Sequence, residues 1–134
     1  MGIPNWNHET GLNHAGAYQV SGRPFASGSL NPGSTATKVE SPYVTRWITI
    51  INNDGTNPCK VGFSEAGVAG TNYFTVHNKA TSGVSCSVRL EVKVGEIWLS
   101  GGNNVDVVAG LTTIQTRHVK TDAGNSWKGE DGVG

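Results

Sequence analysis

The stretch Val84 to Ser100, VSCSVRLEVKVGEIWLS, constrains this chain more than any other. Val84, Cys86, Val88, Leu90 and Val92 alternate with Ser85, Ser87, Arg89, Glu91 and Lys93. Successive side chains of a strand point to opposite faces, so a period of two gives one apolar and one wet face. Gly95 interrupts the pattern where a turn or bulge fits, and Ile97, Trp98 and Leu99 resume it. Such a strand must lie against a second apolar layer.

Most of the remaining chain reads as pieces of that layer. YVTRWITIINN, from Tyr43, is β-branched and aromatic on both faces, as a central strand covered on two sides would be. Asn53-Asp54-Gly55 is a turn signal, because Asp-Gly supplies the positive φ of tight hairpins. Cys59, Val61 and Phe63 share one face of the next segment, EAGVAGTN reads as a Gly-rich loop, and NYFTVH follows as a short strand. After Gly101-Gly102-Asn103-Asn104, VDVVAG runs into LTTIQTR, with a kink expected at Gly110. The expectation is an all-β fold: an antiparallel β-sandwich, jelly-roll or Ig-like, of about seven to eight strands and no required helix. Its core spans 43–118, between an extended N-terminal arm, 1–42, and a polar C-terminal tail, 119–134.

Composition agrees. Of 134 residues, 19 are Gly and only 15% are charged, well below the roughly 25% of ordinary soluble domains. The formal net charge is zero, which removes the electrostatic basis for binding nucleic acid or an anionic membrane. No apolar run reaches membrane-span length, and MGIPNWNHETG lacks the basic and apolar regions of a signal peptide. Without an export signal, Cys59 and Cys86 read as two buried thiols, with a disulfide between them left open.

The arm is punctuated by Gly, Pro, Asn and Ser, and Ala17 to Val20 is its one short strand candidate. Isolated large side chains stand in polar sequence there. Trp6, Leu12, Tyr18 and Phe25 in the arm, with Trp127 in the tail, are the expected partner-binding residues, because an indole in a polar arm is useful only when it docks.

Chemistry is hard to find. His8, His14, His77 and His118 have no zinc spacing, and the acids Asp54, Glu65, Glu91, Glu96 and Asp106 are scattered over turns and wet strand faces. No nucleophile elbow, phosphate-binding loop, dinucleotide fingerprint or calcium loop occurs. No catalytic residue, metal ligand or cofactor is expected. The competing expectation is a carbohydrate- or receptor-binding module, which would present Trp47 or Trp98 flat on an exposed sheet.

Taken together, SPYVTRWITIINND, KVGFSEAGVAGTNYFTV, VRLEVKVGEIWLSGG and VDVVAGLTTI resemble a group of small virion proteins of tailed bacteriophages, over about Tyr43 to Ile114. The resemblance implies a non-enzymatic structural protein, a decoration or cement protein at the capsid surface made in the host bacterial cytoplasm. Its implied partners are the major capsid protein and neighbouring copies of itself in a homo-oligomer, with a tail or fibre component as the variant. It carries over no residue with a chemical role.

Overall fold

A computed structural model describes residues 23–78, 89–119 and 127–134. Seven strands lie in this part: β1 (Arg23–Leu30), β2 (Thr37–Glu40), β3 (Tyr43–Asn52), β4 (Cys59–Gly62), β5 (Tyr73–Val76), β6 (Glu96–Ser100) and β7 (Val105–Gln115). They form two antiparallel sheets, one ordered β1-β7-β3 and the other β2-β6-β4-β5. The all-β expectation holds at this level.

One apolar cluster joins the sheets. The first contributes Ile48, Ile50, Val107, Ala109 and Leu111, and the second Val39, Cys59, Val61, Ile97 and Leu99. Alternation explains the selection: in β3 the even positions Ile48, Ile50 and Asn52 are buried, and in β7 the odd positions Val105 to Leu111. Each fully buried aliphatic side chain contributes about 1.5–3 kcal/mol relative to exposure. A second small cluster joins Val44, Ile114 and Val119, and Trp127 packs against both.

Several expectations need correction. The arm was to run through residue 42, yet 23–30 and 37–40 are strands of the two sheets. RPFASGSL has poor strand propensity of its own; pairing with the long central β7 outweighs it. VDVVAG and LTTIQ form one strand, β7, and its pairing with β3 shifts register at Gly110 and Leu111, the place of the expected kink.

The organising alternation survives in burial but not as a ladder. Leu90, Val92 and Val94 are covered while Arg89, Glu91 and Lys93 are exposed, yet among the described residues of this segment the one bridge is Leu90 to Ile48. Register shifts around Thr45 break the β3 edge that this segment follows. The Thr45 hydroxyl repairs the gap by donating to the Val92 carbonyl (2.6 Å) and accepting from the Val94 N–H (3.2 Å). Val84 to Val88, and Cys86 with them, lie outside the described residues.

The loop EAGVAGTN contains a helix, α1 (Glu65–Ala69), whose N-cap Ser64 accepts from the Gly67 N–H at 2.9 Å. Val68 of α1 lies over Gly62: a β-carbon there would stand 3.2 Å from the Val68 β-carbon and 3.0 Å from the Asn72 carbonyl oxygen. Finally, the described part of the tail is not free. Val119 is fully buried, the Trp127 indole donates to the Lys93 carbonyl (2.8 Å), and the Ser64 hydroxyl lies 2.8 Å from the Val133 carbonyl oxygen.

Candidate interaction surface

The acids hold loops. Asp54 follows β3 and turns back on its own chain, accepting from the Thr56 N–H (2.8 Å), the Asn57 N–H (3.1 Å) and, across the turn, the Asn103 N–H (2.9 Å). The N–H groups of Thr56 and Asn57 favour the ionised carboxylate and bring its pKa down to about 2. Asp106, on β7, accepts from the Ser29 N–H and the Asn53 amide, each at 2.8 Å. Buried Glu96 accepts from the Trp98 indole at 2.6 Å. Burial raises the Cys59 thiol. Among the described residues no three His, Cys, Asp or Glu side chains group as metal ligands, and no helix is long and apolar enough to cross a membrane.

Of the expected partner-binding residues, Trp6, Leu12 and Tyr18 lie outside the described residues. Phe25 and Trp127 are half-buried against the chain's own core. Neither indole proposed as a flat sugar platform is exposed: Arg89 lies over Trp47 at 5.5 Å, and Trp98 is tied to Glu96. The large apolar side chain that does face solvent among the described residues is Tyr73, at 39%, with the Lys60 ammonium 4.8 Å from its ring centre.

What remains is the perimeter of the two sheets, and its four edges differ. Ile48 exchanges both backbone hydrogen bonds with Leu90 (2.9 and 2.8 Å), so the edge of β3 is occupied. This fixes the parity of the whole sheet, because paired residues alternate between bonded and non-bonded positions. Ile48 turns away from Ala109, so Ala109 turns toward Phe25, and the neighbouring Pro24 nitrogen faces outward. Proline on the open side costs no ladder bond and removes a donor that another strand could use. Beyond it, β1 bulges at Ser29, whose φ is 56° and whose N–H is held by Asp106. The edge of β2 is four residues long and carries the exposed Lys38–Glu40 ion pair at 3.5 Å. Each of these is a device that discourages strand addition.

The β5 edge is equally short, at four residues, but carries no proline, bulge or ion pair. Tyr73–Val76, YFTV, contains no proline and no charge, and pairs with β4 in unbroken register from Gly62↔Tyr73 to Cys59↔Val76. Among the described residues no strand lies outside it. Beside it opens a depression of about 280 Å³ walled by Phe63, Asn72, Tyr73, Phe74 and Gly132. Sequence reasoning identified NYFTVH as a strand but not as an edge, since edge position depends on which distant strands pair.

Comparisons with known protein families, with characterised proteins and with solved structures find no match.

Proposed function

We propose that this chain is a non-enzymatic structural protein of a tailed-phage virion, a decoration or cement protein that stabilises the major capsid protein shell. The observation that supports it most is the use made of the chemistry-bearing side chains. Asp54, Asp106, Glu96 and Ser64 each serve a loop, a strand partner or a helix cap, while the perimeter of the sheets offers contact surface. A protein that spreads contacts over neighbours needs a rigid body and segments that order on binding. The resembling stretches supply the body, since VTRWITIINND is β3, KVGFSEAGVAGTNYFTV spans β4, α1 and β5, and VDVVAGLTTI lies in β7. We read that body as a sandwich of the jelly-roll or Ig-like type, on the ground that one core is shared by two sheets.

The test uses residues 1–22 rather than 1–42, because deletion through residue 42 would remove β1 and β2. Full-length chain and a chain lacking 1–22 are incubated with undecorated shells, and occupancy is read by co-sedimentation. Occupancy by the full chain that is lost on deletion, with the far-ultraviolet spectrum unchanged, is the expected result. Full-length chain that leaves the shells bare refutes the decoration role, and undiminished occupancy by the shortened chain refutes the role of the arm.

A further inference from the structure

We infer that Asp131-Gly132 is a site of spontaneous isoaspartate formation, and that this change unseats residues 133–134 from Ser64 and Gly67 on α1. The inference is independent of the decoration role, since the reaction needs only water.

The sequence holds two Asp-Gly pairs, Asp54-Gly55 and Asp131-Gly132. Glycine has no β-carbon to keep its nitrogen away from the carboxyl carbon of the preceding side chain. When that nitrogen attacks, a C–N bond forms, and the carboxyl hydroxyl leaves with the amide hydrogen as water. Water then reopens the succinimide ring. Attack at the main-chain carbonyl frees the α-carboxylate and routes the chain through the former side chain, with no redox change and no net change in composition.

The two sites are built differently. The Asp54 carboxylate accepts from the N–H groups of Thr56 (2.8 Å) and Asn57 (3.1 Å) through one oxygen and of Asn103 (2.9 Å) through the other. It cannot swing onto the Gly55 nitrogen without breaking these bonds. They also hold it ionised, and only the protonated carboxyl loses water readily; its protonated fraction at neutral pH is more than about tenfold below that of an ordinary carboxyl. Asp131 is exposed, and none of the described residues binds its carboxylate. It sits second in a type II turn, in which the Val133 N–H donates to the Glu130 carbonyl (3.0 Å) and Gly132 has φ 85°.

That turn aims the residues after it. The Ser64 hydroxyl lies 2.8 Å from the Val133 carbonyl oxygen and 3.0 Å from that of Gly134. A β-carbon on Gly134 would stand 2.7 Å from the Gly67 α-carbon, and one on Gly67 would collide with the Val133 carbonyl oxygen. Isomerisation adds a methylene to the main chain inside the turn, lengthening it by one bond of about 1.5 Å. A seat with no room for a methyl group does not absorb that displacement. The Trp127 indole, bonded to the Lys93 carbonyl ahead of the turn, stays in place.

Incubation of the full chain in heavy-oxygen water at neutral pH, followed by tryptic digestion and mass spectrometry, reads each site, because every ring opening leaves one heavy oxygen. The expected result is label in peptide 129–134 and at least about tenfold less at Asp54 in peptide 47–60. Asp131→Glu, whose longer side chain would have to close a larger ring, should remove the label from 129–134. The isomerised chain, separated by chromatography, should exchange the Gly67 amide hydrogen severalfold faster than fresh chain, because the Gly67 N–H bond to Ser64 (2.9 Å) loses its cover. No label at Asp131, equal label at Asp54, or label that persists in Asp131→Glu overturns the site. An isomerised chain whose Gly67 amide exchanges at the native rate overturns the unseating.

Discussion

Asn52 is the residue whose replacement should be felt most for its size. It sits at the end of β3, 1% exposed, and its side chain makes three hydrogen bonds. The amide nitrogen donates to the Asn57 carbonyl (2.9 Å) and to the Val76 carbonyl at the end of β5 (3.1 Å), and the amide oxygen accepts from the Asp54 N–H (3.0 Å). One side chain therefore ties the first sheet to the last strand of the second and fixes the start of the Asp54 loop. Asn52→Leu keeps the branching and the number of heavy atoms and removes all three bonds. The Asn57 and Asp54 groups are near enough to solvent for water to replace part of the loss, about 0.5 kcal/mol each. The Val76 carbonyl is buried, and leaving it unpaired costs about 1–3 kcal/mol. The sum is about 3 kcal/mol, or a fall in Tm of roughly 10 °C for a chain of this length. Thermal unfolding followed by circular dichroism at neutral pH reads this directly. Asn53→Ala is the internal control: it removes one exposed bond to Asp106 and should cost under about 1 kcal/mol. Equal effects from the two substitutions, or a loss at Asn52 below about 1 kcal/mol, would show that the cross-sheet tie contributes nothing.

Two further outcomes follow from the geometry. Asp54 has a folded-state pKa of about 2 against an ordinary value of 3.8, so ionisation favours the folded state. Its contribution is fully present above the unfolded pKa near 4 and disappears as pH falls through about 2. Native chain and Asp54→Asn should therefore differ in Tm at pH 6 and converge by pH 2, and a gap that stays constant would remove the carboxylate from the account. At Gly62 an added methyl meets the Asn72 carbonyl oxygen and Val68, so Gly62→Ala should cost about 1–3 kcal/mol in urea unfolding. A neutral result would mean that α1 moves freely over the sheet.

Parts of this architecture are written locally, and others are not. Ile48, Ile50, Val105 and Val107 declare their strands because β-branched side chains at every second position have one sensible reading. β1 declares nothing, since Pro24, Gly28 and Ser29 weaken any local preference and the strand exists only because β7 is there to pair with it. The segment 89–94 gives its faces but not its pairing, because the bulges that break the ladder lie in β3 and the repair comes from Thr45. α1 is one turn and a half, too short for periodicity, though Ser64 followed by Glu65 was a readable N-cap signal. Trp127 looked like a partner anchor because its sequence neighbours are polar; its actual neighbours, Lys93 and the Val44 cluster, are remote in the chain. The edge position of β5 among the described strands, and with it the candidate surface, depends entirely on strand order.

That strand order also bears on how the protein is made. β7 is the central strand of its sheet, and it flanks both β1 and β3. About 75 residues lie between the end of β1 and the start of β7, so at about 5–20 residues per second β1 waits several seconds on the ribosome for its partner. During that interval β3, with Ile48 and Ile50, has no neighbour in its own sheet and is the segment a nascent-chain chaperone would need to cover. Long-range pairing of this kind slows folding. Translation speed past residue 105 therefore becomes a determinant of yield.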